Sequence, residues 1–153
     1  MAVQIIPASS ADLQTVQHIV TETVSAVYPH YYPTGAVAFF LAHHSAEHIA
    51  ADLAAGRVRL CLTEDGSPAG TVTVCGNEIC RLFVLPEYQG KGLGRMLLDY
   101  AENEIAAHSD EIVLSASFAA KSIYLKRGYR ETEFHTLRAG QDFLCYDVMT
   151  RKL

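Results

Sequence analysis

The sequence predicts a three-layer α/β (α+β) sandwich: a mixed central sheet that opens as an antiparallel meander, with helices on both faces. Three observations lead there. Apolar residues in the first third recur at the spacing of amphipathic helices and switch to the period of strands from Arg57 onward. Two turn signals, Glu64-Asp65-Gly66-Ser67 and Gly76-Asn77, join three strand-like runs into the meander. A glycine-rich loop then introduces a helix and a later strand-helix-strand crossover, an order that belongs to layered mixed sheets.

Taken in order, Val3 to Pro7 reads as a first strand. Ser9 or Ser10 can cap a helix that carries Leu13, Val16, Val20, Val24 and Val27 on one face. Tyr28-Pro29-His30-Tyr31-Tyr32-Pro33 is aromatic and punctuated by proline, so a loop is expected. A helical run follows from Ala36 to Leu41, then a helix capped by Ser45 and closed by Gly56. Arg57 to Thr63, Ala69 to Cys75 and Glu78 to Val84 are the meander strands. The helix after the glycine loop is expected to bury Met96, Leu97, Tyr100 and Ile105. Ile112 to Ser115 reads as a strand, Ala119 to Arg127 as a helix, and Tyr129 to Thr136 with Phe143 to Met149 as a closing hairpin.

A chain of 153 residues suits one domain, residues 1–153, with room for a substantial core. No run approaches 18 apolar residues and no signal-peptide pattern opens the chain, so a cytoplasmic protein away from membranes is expected. Cys61, Cys75, Cys80 and Cys145 lie in apolar strand-like runs without a Cys-x-x-Cys pair and read as reduced, packed thiols. Residues 1 to 56 hold no Lys or Arg but five of the seven histidines and Asp12, Glu22, Glu47 and Asp52. Seven of the twelve basic residues fall between Arg81 and Arg130. A net charge of −5 with one local basic strip suits a small anion and not a nucleic-acid backbone. His43, His44 and His48 invite a metal, but Ser45 as a helix cap leaves His44 outside the helix and off their shared face, so none is assigned.

The loop Gln89-Gly90-Lys91-Gly92-Leu93-Gly94 stands between an apolar strand and a helix beginning near Arg95. Its glycines let backbone N–H groups converge on an anion at the positive end of the helix dipole. A Walker loop is excluded because Gly92, not Ser or Thr, follows Lys91, and the third glycine is misplaced for a dinucleotide fingerprint. With Val84-Leu85-Pro86-Glu87-Tyr88 before it and Arg95-Met96-Leu97-Leu98 after it, the segment resembles the acetyl-CoA signature of the GNAT superfamily, the acyl-CoA-dependent N-acetyltransferases. Gln89, Gly92 and Gly94 carry that resemblance. Ser115 to Gly128, ending Ile123-Tyr124-Leu125-Lys126-Arg127-Gly128-Tyr129, resembles the family's later helix.

The resemblance implies the GNAT fold and acetyl-CoA as co-substrate. It implies that backbone groups of Gln89, Gly90, Lys91, Gly92, Leu93, Gly94 and Arg95 hold the pyrophosphate. Leu82, Phe83 and Val84 would line the pantetheine arm, and Ser117 and Lys121 would contact the cofactor. Ser117 stands where the family often has Asn. Tyr124 occupies the place of the thiolate-facing acid, and Glu78 the place where several members carry their base. Glu78 and Leu82 sit four residues apart, about 13 Å along a strand, which calls for a water relay. Tyr28, His30, Tyr31 and Tyr32 would wall the acceptor side. The expected activity is direct acetyl transfer, in a ternary complex, to a primary amine of a small molecule. A cationic amine suits the acidic, aromatic first third. Protein N-terminal or lysine acetylation is the alternative within the family, and a non-catalytic acyl-CoA binding module the alternative of another class. The sequence leaves room for a homodimer.

Overall fold

The computed structural model describes residues 2–153. Its strands are β1 (Gln4–Pro7), β2 (Val58–Leu62), β3 (Pro68–Cys75), β4 (Glu78–Val84), β5 (Glu111–Ala116), β6 (Arg130–Ala139) and β7 (Asp142–Lys152). The helices are α1 (Leu13–Val27), α2 (Thr34–His43), α3 (Ala46–Ala54), α4 (Leu93–Ala106) and α5 (Lys121–Lys126). The sheet runs β1-β2-β3-β4-β5-β7-β6. All neighbours are antiparallel except β4 and β5, which are parallel because α4 carries the chain across the sheet between them.

Two apolar layers flank the sheet. Val84, Leu93, Leu97, Ala101, Ile105 and Tyr124 belong to the layer under α4 and α5. On the opposite face, Val16, Ile19, Val20, Ile49, Leu53 and Phe83 join α1 and α3 to the sheet. A Cβ on Gly70 would stand 3.0 Å from both Leu97 Cδ1 and the Phe83 carbonyl oxygen, so glycine in β3 is what lets α4 seat this closely. Leu97 is fully buried, whereas Met96, expected in the core, is 38% exposed and Tyr100 only half-buried. The buried stripe of α4 instead continues through Leu98, Ala101 and Glu102.

Local signals account for most boundaries. Ser9 forms a capping box with Asp12, which starts a short 3-10 turn leading into α1. The Ser45 hydroxyl accepts from the His48 N–H at 3.4 Å and starts α3. Gly56 follows α3 with φ +73°. The expected 28–33 loop tightens into a 3-10 turn over Tyr28–His30, and α2 begins at Thr34, two residues earlier than read.

Two features of β4 shape everything that follows. It pairs with β5 only through Glu78↔Val113 and Ile79↔Leu114, so from Cys80 onward the two strands diverge. Its register against β3 also jumps from Thr73↔Arg81 to Val74↔Ile79, leaving Cys80 as the extra residue of a β-bulge. The bulge resets the alternation. Ile79, Leu82 and Val84 face α4, and Phe83 faces the other way. Glu78, next to Ile79, therefore points away from the face of Leu82, and the single face expected for Glu78 and Leu82 does not form.

Candidate active site

The divergence of β4 and β5 opens a cavity of about 940 Å³ that runs from the glycine loop, between the strands, to the helices of the first third. Its middle is walled by Cys80, Leu82 and Val84 on one strand and by Leu114, Ser115 and Ala116 on the other. Separation of the strands leaves the facing edges of β4 and β5 without ladder partners beyond Ile79. An extended ligand arm can supply those partners.

At one end, Gln89, Gly90, Gly92, Leu93, Gly94 and Arg95 line the cavity. Gly90 and Gly92 take φ +76° and +84°, a region glycine enters without cost, and a Cβ on either would meet nothing within 4 Å. Gly92 is the N-cap of α4 and no side chain caps that terminus, so its N–H groups are left for an anion. The Gln89 side-chain amide donates to the Val84 carbonyl at 2.9 Å and pins the loop to the end of β4. Thr23 Oγ1 in α1 reaches the same carbonyl at 3.3 Å. Lys91 lies outside the lining, its Nζ 5.5 Å from the Tyr88 ring centre. Lys126, the last residue of α5, and Arg127, which caps it, line this end.

Lys121 does not take part. It pairs with Asp147 at 2.9 Å and Glu131 at 3.1 Å, which turn its ammonium toward β6 and β7 and raise its pKa, chiefly through the Asp147 contact. Ser117 does line the cavity. Beside it, burial holds the Tyr28 phenol above its ordinary value, an effect that the Ser117 side chain partly offsets.

Tyr124 lines the cavity and is 8% exposed. Burial raises its pKa well above the ordinary phenol value, so its proton stays in place at neutral pH. The ring meets Tyr129 edge-on at 5.6 Å. Beneath it, the buried Glu102 carboxylate of α4 accepts from Tyr129 Oη at 2.8 Å, from Arg151 at 3.0 Å and from Arg127. Burial works against the charge of Glu102, but these donors outweigh it and hold the pKa below the usual carboxylate range.

At the other end, Tyr28, Phe39, Phe40, His43, Leu144 and Tyr146 form the wall. Of the four residues expected on the acceptor side, only Tyr28 lines the cavity. Tyr32 is buried behind it; its hydroxyl accepts the Phe118 N–H at 2.7 Å and its ring stacks on Phe118 at 5.1 Å. His30 and Tyr31 face solvent. Glu78 is exposed at the closed end of the wedge and outside the lining. Asp12, Glu22, Glu47 and Asp52 do not line the cavity either, so the acceptor wall lacks the carboxylates expected of it.

The sequence reading missed Arg81 and His44, both in the lining. Arg81 is 7% exposed; it donates from Nε to His44 Nδ1 at 3.1 Å and pairs with Asp52 Oδ2 at 2.5 Å. The bulge at Cys80 is what aims Arg81 toward α2 and α3.

Residues 27–149 match the family model described as the Acetyltransferase (GNAT) domain. The chain belongs to the GNAT acetyltransferase family. A GCN5-related N-acetyltransferase from Rhodopseudomonas palustris superposes with a TM-score of 0.89 at 24% identity, over 100% of this chain and 97% of that one. The PaiA N-acetyltransferase of Thermoplasma acidophilum, solved in complex with coenzyme A, superposes at 0.77 with 22% identity over the whole of both chains. The apo form of YjaB from Escherichia coli does so at 0.74 with 17% identity, over 98% and 97%. No curated protein sequence matches the chain. As a GNAT member it is an acyl-CoA-dependent N-acetyltransferase with acetyl-CoA as co-substrate. The residues present fit that molecule: an uncapped helix start and open glycine cradle for the pyrophosphate, and an unpaired strand edge with apolar flanks for the arm. Among the described residues, no helix is long and apolar enough to cross a membrane.

Proposed function

We propose that this protein transfers the acetyl group of acetyl-CoA to the primary amine of a small molecule with an aromatic or apolar body, by direct attack in a ternary complex. The observation that carries the reading is the continuity of one cavity from the glycine loop, past Tyr124, to the wall of Tyr28, Phe39, Phe40, His43 and Tyr146. The α2 helix roofs that wall. The Gly35 N–H donates to Asp142 Oδ2 at 2.7 Å, and a Cβ on Gly35 would collide with the Ala139 carbonyl, so α2 sits directly on the turn of the β6–β7 hairpin. A roofed pocket suits a small amine better than a peptide segment. The lack of carboxylates in the lining favours one amino group over a polyamine.

Acetyl-CoA supplies the activated thioester. The amine lone pair forms the C–N bond, the C–S bond breaks, the sulfur gains a proton and the nitrogen gives one up. Tyr124, protonated and facing the cavity, is the donor to the sulfur. For the nitrogen's proton we assign His43 at the solvent end of the wall in place of Glu78. Burial, then Arg81 and His48, lowers the His43 pKa below 6.5, so its imidazole is neutral and free to accept at neutral pH.

A panel of amines assayed by release of the CoA thiol tests the reading. Phenethylamine and phenylalanine amide are expected to exceed spermidine and a peptide N-terminus by at least tenfold in kcat/KM. A peptide or spermidine as best acceptor would overturn it.

A further inference from the structure

The contact between Arg81 and His44 fixes a proton. A guanidinium Nε–H can only donate, so His44 Nδ1, 3.1 Å away, must carry a lone pair. Arg81 cannot turn aside, because its Nη1 donates to Asp52 Oδ2 at 2.5 Å and to Thr73 Oγ1 at 3.4 Å. The remaining ring proton of His44 therefore resides on Nε2. The ring plane is set by edge-on contacts with Phe83 at 5.3 Å and His43 at 4.8 Å. Among the described residues, the enclosed side-chain polar atom outside hydrogen-bond geometry is Asp147 Oδ2, which the Lys121 ammonium meets at 2.9 Å as an ion pair. His44 Nε2 is not so enclosed, and the open space beside His44 is the cavity that it lines.

We propose that His44 is a fixed, neutral hydrogen-bond donor on the acceptor side, selecting amines that carry a carbonyl or hydroxyl oxygen close to the amino group. The inference rests on the small-amine reading above. Asp52, held also by the half-exposed Arg57, offsets the charge of Arg81 behind the ring, so a neutral oxygen is the matching partner. Burial, then His43, Arg81 and His48, pulls the His44 pKa down to about 3, so the ring neither charges nor serves as a base in the working range. An amine without the oxygen leaves the Nε2–H facing an apolar body, and an unmatched donor in an enclosed site costs roughly tenfold to a hundredfold in kcat/KM.

Two measurements on the full chain test this. Long-range ¹H–¹⁵N spectra of histidine-labelled protein, with the His44 signals assigned by their loss in His44→Gln, are expected to show the Nε2–H tautomer unchanged from pH 5 to 9. A proton on Nδ1, or titration near pH 6.5, overturns the proposal. In the second, phenylalanine amide is compared with phenethylamine. The wild type is expected to favour the amide at least tenfold, His44→Phe to bring the ratio close to one through the amide's KM, and His44→Gln, which can still donate, to retain part of it. An unchanged ratio in His44→Phe overturns the proposal. If neither amine is acetylated, the function proposed above fails, and the His44 Nε2 resonance still decides the site. A shift on adding the amide but not phenethylamine supports it, and no shift overturns it.

Discussion

The glycines of the loop are not equivalent in what they do. Gly92 sits at φ +84°, so any side chain there strains the backbone whether or not a ligand is present. Gly94, in the first turn of α4, has an ordinary φ, and a Cβ on it would meet only Val84 Cγ2, at 3.8 Å, while the residue lines the cavity. Gly94→Val is therefore expected to leave the fold intact and weaken acetyl-CoA binding by at least tenfold, measured by calorimetry; unchanged affinity in the folded variant would remove the cradle from this loop. Gly90 and Gly92 are legible in a sequence because glycine alone takes their positive φ without strain. The place of Tyr124 in the cavity wall was legible from its fixed distance to the glycine-aromatic exit. Arg81 was not: nothing near it in sequence marks it, and its partners come from α2 and α3.

At the scale of elements, the meander, the crossover helix and the closing hairpin were readable from period and turn residues, to within a few residues at their ends. The bulge in β4 was not, because one extra residue leaves no mark in an apolar run, yet it decides which side chains face which layer. It separated Glu78 from Leu82 and delivered Arg81 to His44. Helix α5 presents a different problem. Six residues with no side-chain cap hold poorly by themselves, and their position depends on Arg127, at the C-terminal end, bound to Glu102. Glu102→Ala would leave Arg127, Arg151 and Tyr129 without their shared partner. A loss of about 3 kcal/mol in urea unfolding is expected, with a fall in kcat as Tyr124 loses its support. A loss below about 1 kcal/mol would mean that α5 is held by its apolar contacts alone.

At the scale of the whole molecule, the two faces of the sheet divide the labour. The side under α4 and α5 offers the anion cradle and the buried phenol, and the side under α1 to α3 offers the acceptor wall. Of the basic strip, Arg95, Lys126 and Arg127 do line the cavity on the first side, but the acidic character expected of the second is not found there. The acidic residues of the first third stay outside the lining, and Asp52 is shared between Arg81 and Arg57. The charge of Arg81 is thus compensated at the acceptor end and that of Arg127 by Glu102, while Arg95 and Lys126 at the loop end are not compensated. Among the described residues, neither Arg95 nor Lys126 has a carboxylate within ion-pair distance. Ionic strength should therefore tell the two substrates apart. Raising salt from about 0.01 M to 0.5 M shortens the screening length several-fold, so the KM for acetyl-CoA is expected to climb several-fold while that of the amine stays level. Parallel salt responses of the two KM values would show that the ion pair of Arg81 and Asp52 does not shield the acceptor end.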